Sequence, residues 1–113
     1  MARAILLAAI VCLLAAPTAS AHHERIHSDQ QRAKPIICKV FGTYCEQALA
    51  VSWCESRWYR WAGNGQYLGL FQMGSWERRR YGHGSGAWAQ ARAAYRYFVD
   101  SGRDWSPWVC KPW

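Results

Sequence analysis

The chain has no apolar run long enough to cross a bilayer. The longest, Ala4 to Ala16, falls short of the roughly 20 residues that a spanning helix needs. Acids are scarce: 7 Asp and Glu stand against 14 Lys and Arg, a formal net charge of +7. No two cysteines form a CxxC pair, which argues against thiolate metal ligation. No tryptophan precedes residue 53, although the chain holds 8. Between Glu46 and Glu77 there is a single acid, Glu55.

Each of these absences narrows the reading. Arg3 precedes the short apolar run and Ala19-Ser20-Ala21 follows it as an A-x-A site, so residues 1–21 read as a cleaved secretion signal rather than a membrane anchor. Cys12 lies inside that run and does not read as a lipid attachment site. The positive charge favours anionic polymers (cell wall, nucleic acid or acidic lipid) without choosing among them. The remaining length suits one small domain with a marginal core. Cys38, Cys45, Cys54 and Cys110 are an even set in an oxidising compartment, which predicts two disulfides. Cys45 and Cys54 fall on one predicted helix about 13.5 Å apart, beyond the roughly 7 Å that a bridge spans. Two pairings stay open on spacing alone.

Residues 22–35 hold almost no apolar side chains beyond Ile26 and Ala33, and predict a flexible polar tail ending at Pro35. His23-Glu24-Arg25-Ile26-His27 matches H-E-x-x-H, but a zinc site needs a supported helix and a third ligand. The expected reading is a solvated tail and no metal. The folded domain is expected over residues 36–113, with Ile36 to Phe41 as an apolar entry segment. Thr43 and Glu46 have capping-box spacing, and Ala48, Val51, Cys54 and Trp58 recur as one apolar helical stripe.

Glu55 sits at the edge of that stripe, near the end set by Gly63 and Gly65. The C-terminal end of a helix disfavours a carboxylate, and neighbouring rings desolvate one. Both favour the neutral acid, the form that donates a proton. The plainer reading pairs Glu55 with Arg57 or Arg60 on the surface. Asn64 to Met73 follows as a Gly-punctuated loop with donors and rings at Asn64, Gln66, Tyr67, Phe71 and Gln72. It reads as a strand-like turn beside a pocket, or as an ordinary hairpin packing its rings inward. Ser75 is placed to cap a helix over Trp76 to Tyr81, whose Arg78, Arg79 and Arg80 read as a solvated face. Gly82 to Gly86 reads as a loop carrying His83. A last helix is expected from Ala87 to Val99, with Ala87, Ala91, Ala94, Tyr95 and Phe98 inward and Gly102 at its end. Trp105 to Cys110 must dock back on the core.

Trp53-Cys54-Glu55-Ser56, the Asn64 to Met73 loop with its Gly-Leu-Phe-Gln, and Trp105-Ser106-Pro107-Trp108-Val109-Cys110 together resemble the lysozyme-like domain of actinobacterial resuscitation-promoting factors and lytic transglycosylases. The likeness runs from about residue 40 to 110. It implies a mainly α, small lysozyme-like α+β domain with a short β-like loop and two disulfides. It implies cleavage of the β-1,4 bond between N-acetylmuramic acid and N-acetylglucosamine, by a secreted monomer acting on peptidoglycan glycan strands. Glu55 matches the family's acid, and Tyr67 and Gln72 match groove positions, with Gln66 and Asn64 beside them as further sugar contacts. Cys54–Cys110 matches a helix-to-tail disulfide, which leaves Cys38–Cys45. The family's Ala-Tyr-Asn element departs here, since Ala94-Tyr95 is followed by Arg96.

Most glycosidases use two carboxylates. None lies near Glu55 in sequence, though folding could bring in Glu77 or Asp104. Glu77 is expected to pair with its arginine run and Asp104 to serve the docking turn. One acid suffices for an intramolecular route without metal or organic cofactor. The rival readings are a hydrolytic muramidase, a non-catalytic wall-binding module and a cationic nucleic-acid or membrane-active peptide. Neither nucleic-acid binding nor stable membrane insertion is expected.

Overall fold

A computed structural model describes residues 18–113. Most of the expected signal, residues 1–17, lies outside them. Four helices follow in order: α1 Ala19–Phe41, α2 Cys45–Ser56, α3 Ser75–Tyr81 and α4 Ala87–Asp100. A two-stranded antiparallel hairpin, β1 Gly63–Asn64 and β2 Tyr67–Leu68, sits between α2 and α3. The class is mostly helical with a minimal sheet and two disulfides, as expected. No helix of the described residues is long and apolar enough to cross a membrane.

The polar tail expected over residues 22–35 is instead helical. Ala33, Ile37 and Phe41 form a fully buried stripe at four-residue spacing, so the apolar segment at 36–41 is the end of a longer helix. Pro35 costs such a helix about 3 kcal/mol. Burying Ile37 and Phe41 contributes about 1.5–3 kcal/mol each and offsets it. Thr18 Oγ1 accepts from the Ala21 N–H to cap the start. Polar contacts to the loop after α2 hold the segment between.

The core joins α1 to α2, α4 and the aromatic tail. Phe41 stacks on Phe71 and Trp105 at centroid distances of 5.3 and 5.6 Å. Phe98 of α4 reaches Trp105 at 4.5 Å. The tail docks as expected, with Trp105 and Trp108 buried. Trp105 Nε1 donates to Gln47 Oε1 at 2.8 Å, and Trp108 Nε1 to the Phe71 carbonyl at 2.9 Å.

Three local expectations need correction. The Thr43 capping box does not form: a 3-10 turn, Gly42–Tyr44, leads into α2 without a side-chain cap. Ser75 does not cap α3, since Gly74 occupies the cap position. The buried face of α2 is Ala48, Val51, Ser52 and Ser56. Arg57 turns left-handed at φ 56, so Trp58 falls past the helix end. The two serines enter the core because helix carbonyls satisfy their hydroxyls: Ser52 donates to Ala48 at 2.6 Å and Ser56 to Ser52 at 3.0 Å.

The disulfides are Cys38–Cys45 and Cys54–Cys110, joining α1 to α2 and α2 to the tail.

Candidate functional site

Glu55 is the penultimate residue of α2 and half-buried. Beside it, buried Ser56 donates to the Leu70 carbonyl at 2.7 Å and fixes the helix end against the turn after β2. On the other flank, Cys54 is bridged to Cys110. That bridge places the Cys110 N–H 3.1 Å from Glu55 Oε1, to which it donates. The helix end is thus held on both flanks, and the carboxylate by one backbone N–H.

Glu55, Asn64, Tyr67 and Gln72 line one cleft of about 340 Å³ with Pro107, Trp108, Val109 and Cys110. Asn64 and Tyr67 face each other across the hairpin register. Gln72 holds a left-handed backbone at φ 47, a conformation costing a non-glycine residue about 1–2 kcal/mol. Its side-chain Nε2 offsets that by donating to the Ala62 and Gly69 carbonyls, both at 3.0 Å. With both N–H groups used, the Oε1 acceptor remains for the cleft.

Gln66 does not line this cleft. Its Oε1 accepts from Ser75 Oγ at 3.2 Å, and its carbonyl accepts from Arg78. Arg78 also donates to the Met73 carbonyl at 2.7 Å, so it braces the loop rather than facing solvent with Arg79 and Arg80. The rings expected around Glu55 from its own segment turn away as well. Trp53 packs at a tilt against Trp58, with ring centroids 4.6 Å apart, beneath Arg57. Tyr67 and Trp108 bring rings instead.

Glu55 is the only carboxylate among the residues lining the cleft. Neither Glu77 nor Asp104 joins it. Glu77 makes no ion pair with the arginine run; among the described residues the one salt bridge is Arg60–Asp29. Asp104 Oδ1 accepts from the Ser106 N–H at 2.7 Å, the turn role expected of it. Tyr95 packs edge-on against Phe41 at 5.3 Å and stays in the core. Among the described residues no group of three metal-ligating side chains exists. His23 and His27 are helical and exposed, but lack a third ligand.

Sequence reasoning missed Gln90, the polar clamp behind the hairpin. Its buried amide accepts from the Leu70 N–H at 2.9 Å and donates to the carbonyls of Arg60 at 3.0 Å and Ser85 at 3.3 Å. Gly69 permits this approach: at φ 84, a Cβ there would lie 2.6 Å from Gln90 Oε1. A lone glutamine within the Ala87 helix gives no signal of its own in the sequence. Pro107 and Val109 were also missed as lining; only the docking of their segment was readable. His83 lines a separate cleft with Trp61 and Leu68. Burial, and secondarily the Arg78 guanidinium, push its pKa down to about 4.

No protein-family profile, curated protein or solved structure matches the chain.

Proposed function

We propose that the chain is a secreted, lysozyme-like peptidoglycan lytic transglycosylase with Glu55 as its single catalytic acid. The observation that carries this reading is the cleft in which Glu55 is the sole carboxylate, faced by Asn64, Tyr67 and Gln72. Retaining and inverting glycosidases need a second carboxylate about 5 to 9.5 Å away. No second carboxylate lines this cleft, which supports a route in which the substrate itself supplies the nucleophile.

In this mechanism Glu55 protonates the glycosidic oxygen as the bond to the muramic anomeric carbon breaks. The 2-acetamido oxygen shields the developing positive charge at that carbon. Ionised Glu55 then takes the proton of the 6-hydroxyl, whose oxygen closes a 1,6-anhydro ring. Glu55 ends protonated, as it began, and no water is consumed. The Cys110 N–H holds the carboxylate in place through Oε1, and Gln72 Oε1 is positioned to accept from a sugar N–H or O–H. The two disulfides and the A-x-A sequence at Ala19–Ala21 support export to the cell wall.

Mass spectrometry of a peptidoglycan digest tests the reading. The expected fragments end in 1,6-anhydromuramic acid, one water lighter than hydrolytic fragments. Predominantly reducing ends would make the protein a muramidase, and an undigested wall with bound protein would make it a binding module.

A further inference from the structure

The H-E-x-x-H match in α1 is a motif that the Glu55 cleft leaves unused. The helix makes His23 and His27 neighbours on one exposed face, about 6 Å apart along the axis. His22 points elsewhere. With Ile26 and Asp29 on its own helix face, it lines a cleft of about 350 Å³ between α1 and the loop after α2. Two polar contacts pin this half of α1 across that loop. Asp29 Oδ1 accepts from Arg60 Nε at 2.9 Å, and Gln30 Nε2 donates to the Arg57 carbonyl at 3.0 Å. Both pins lie within a turn of His27, so the histidine pair is held in helical register although nothing before Ala33 enters the core.

Two imidazoles leave a metal half-coordinated, and no third side chain completes the set among the described residues. Main-chain nitrogens do so once the Ala21–His22 bond is cut at the A-x-A site. The His22 N–H, which donates to the Thr18 carbonyl at 3.1 Å in the uncut chain, becomes a free amine. The carbonyls of Ala19, Ser20 and Ala21 leave with the signal, so the His23 N–H loses its helical acceptor as well. The amine, the His23 amide nitrogen and His23 Nδ1 can then close fused chelate rings on one ion. His27, one turn along on the same face, brings a fourth nitrogen. A planar set of nitrogens selects Cu(II) over Zn(II), which favours a tetrahedron and does not displace an amide proton at neutral pH. The charges also balance. The dication enters as the amine and the amide each lose a proton, so the positive end of the helix dipole gains no net charge.

We infer that the exported chain, beginning at His22, binds one Cu(II) at this terminus. The site depends on cleavage after Ala21 and not on Glu55, so peptidoglycan lysis by the same chain holds or fails separately. Intact mass of the secreted protein reads its first residue, and a start other than His22 overturns the inference. Cu(II) is titrated into that chain against nitrilotriacetate, with electron paramagnetic resonance reporting the nitrogen ligands. One equivalent is expected in a square-planar nitrogen set, at least about a hundredfold tighter than Zn(II) in the same competition. Selective acetylation of the His22 amine and, separately, His23→Ala are each expected to weaken Cu(II) binding about a hundredfold, and His27→Ala about tenfold. These positions are exposed and lie outside the core, so the fold is kept. An acetylated or His23→Ala chain that binds like the wild type overturns the inference, as does Zn(II) bound as tightly as Cu(II).

Discussion

Two clefts flank the loop after α2, and they are held in opposite ways. The Glu55 cleft is backed by the core: Trp108 is buried behind it, a disulfide closes one wall, and Ser56 ties its helix to the hairpin. The α1 cleft is backed by polar pins, chiefly Asp29 on Arg60 and Gln30 on the Arg57 carbonyl. Buried packing holds side chains at set distances, whereas a partly exposed ion pair such as Asp29–Arg60 contributes about 1 kcal/mol or less and allows movement. The first wall is rigid and the second adjustable.

That contrast can be broken from either side. The largest effect is expected from Glu55→Gln, which keeps the shape but cannot donate a proton. Peptidoglycan lysis should fall about a thousandfold with little change in melting temperature; retention of a tenth of wild-type lysis overturns the assignment. Next comes the core-side staple. Replacing Cys54 and Cys110 together by serine should remove about 4 kcal/mol by denaturant unfolding, given their sequence separation of 56. The same change at Cys38 and Cys45, separated by 7, should remove about 2.5 kcal/mol.

Gln90→Leu should cost about 2–3 kcal/mol, because the Leu70 N–H and the Arg60 carbonyl lose their partner. It is the one change expected to loosen both clefts, detectable as faster amide exchange on either side of the hairpin. His83 gives a smaller, pH-dependent term. Its pKa of about 4 in the fold lies below the ordinary 6.5, so the unfolded chain binds more protons between those values. Stability should therefore fall as pH drops from about 6.5 to about 4, by about 1 kcal/mol after allowance for solvent screening, and His83→Gln should flatten the slope. The smallest effect belongs to Asp29→Asn. It should cost less than about 1 kcal/mol overall while raising exchange in α1 before Ala33 and leaving the Glu55 cleft unchanged.

The parts that could be read from the sequence were those governed by local rules. The Ala87 helix, the docking tail and the position of Glu55 at a helix end all follow from periodicity and punctuation. Asn64, Tyr67 and Gln72 also reach the cleft with Glu55. The misses lie where long-range polar contacts decide. Gln66 carries the same chemistry as Gln72, but Ser75 and Arg78 take up its amide oxygen and carbonyl. The first half of α1 looks disordered because its apolar residues are few. Its anchors, Arg57 and Arg60, lie about thirty residues downstream, where no periodicity can announce them.

Cys110 serves the Glu55 cleft twice, through its sulfur and through its backbone N–H. The cleft wall is therefore assembled by oxidation, not by folding alone. While both thiols are reduced, as they are in a cell interior, the tail lacks its covalent latch and the carboxylate lacks a fixed donor. The geometry around Glu55 is thus conditional on redox surroundings: the latch that holds the Cys110 N–H against the carboxylate closes only where thiols are oxidised.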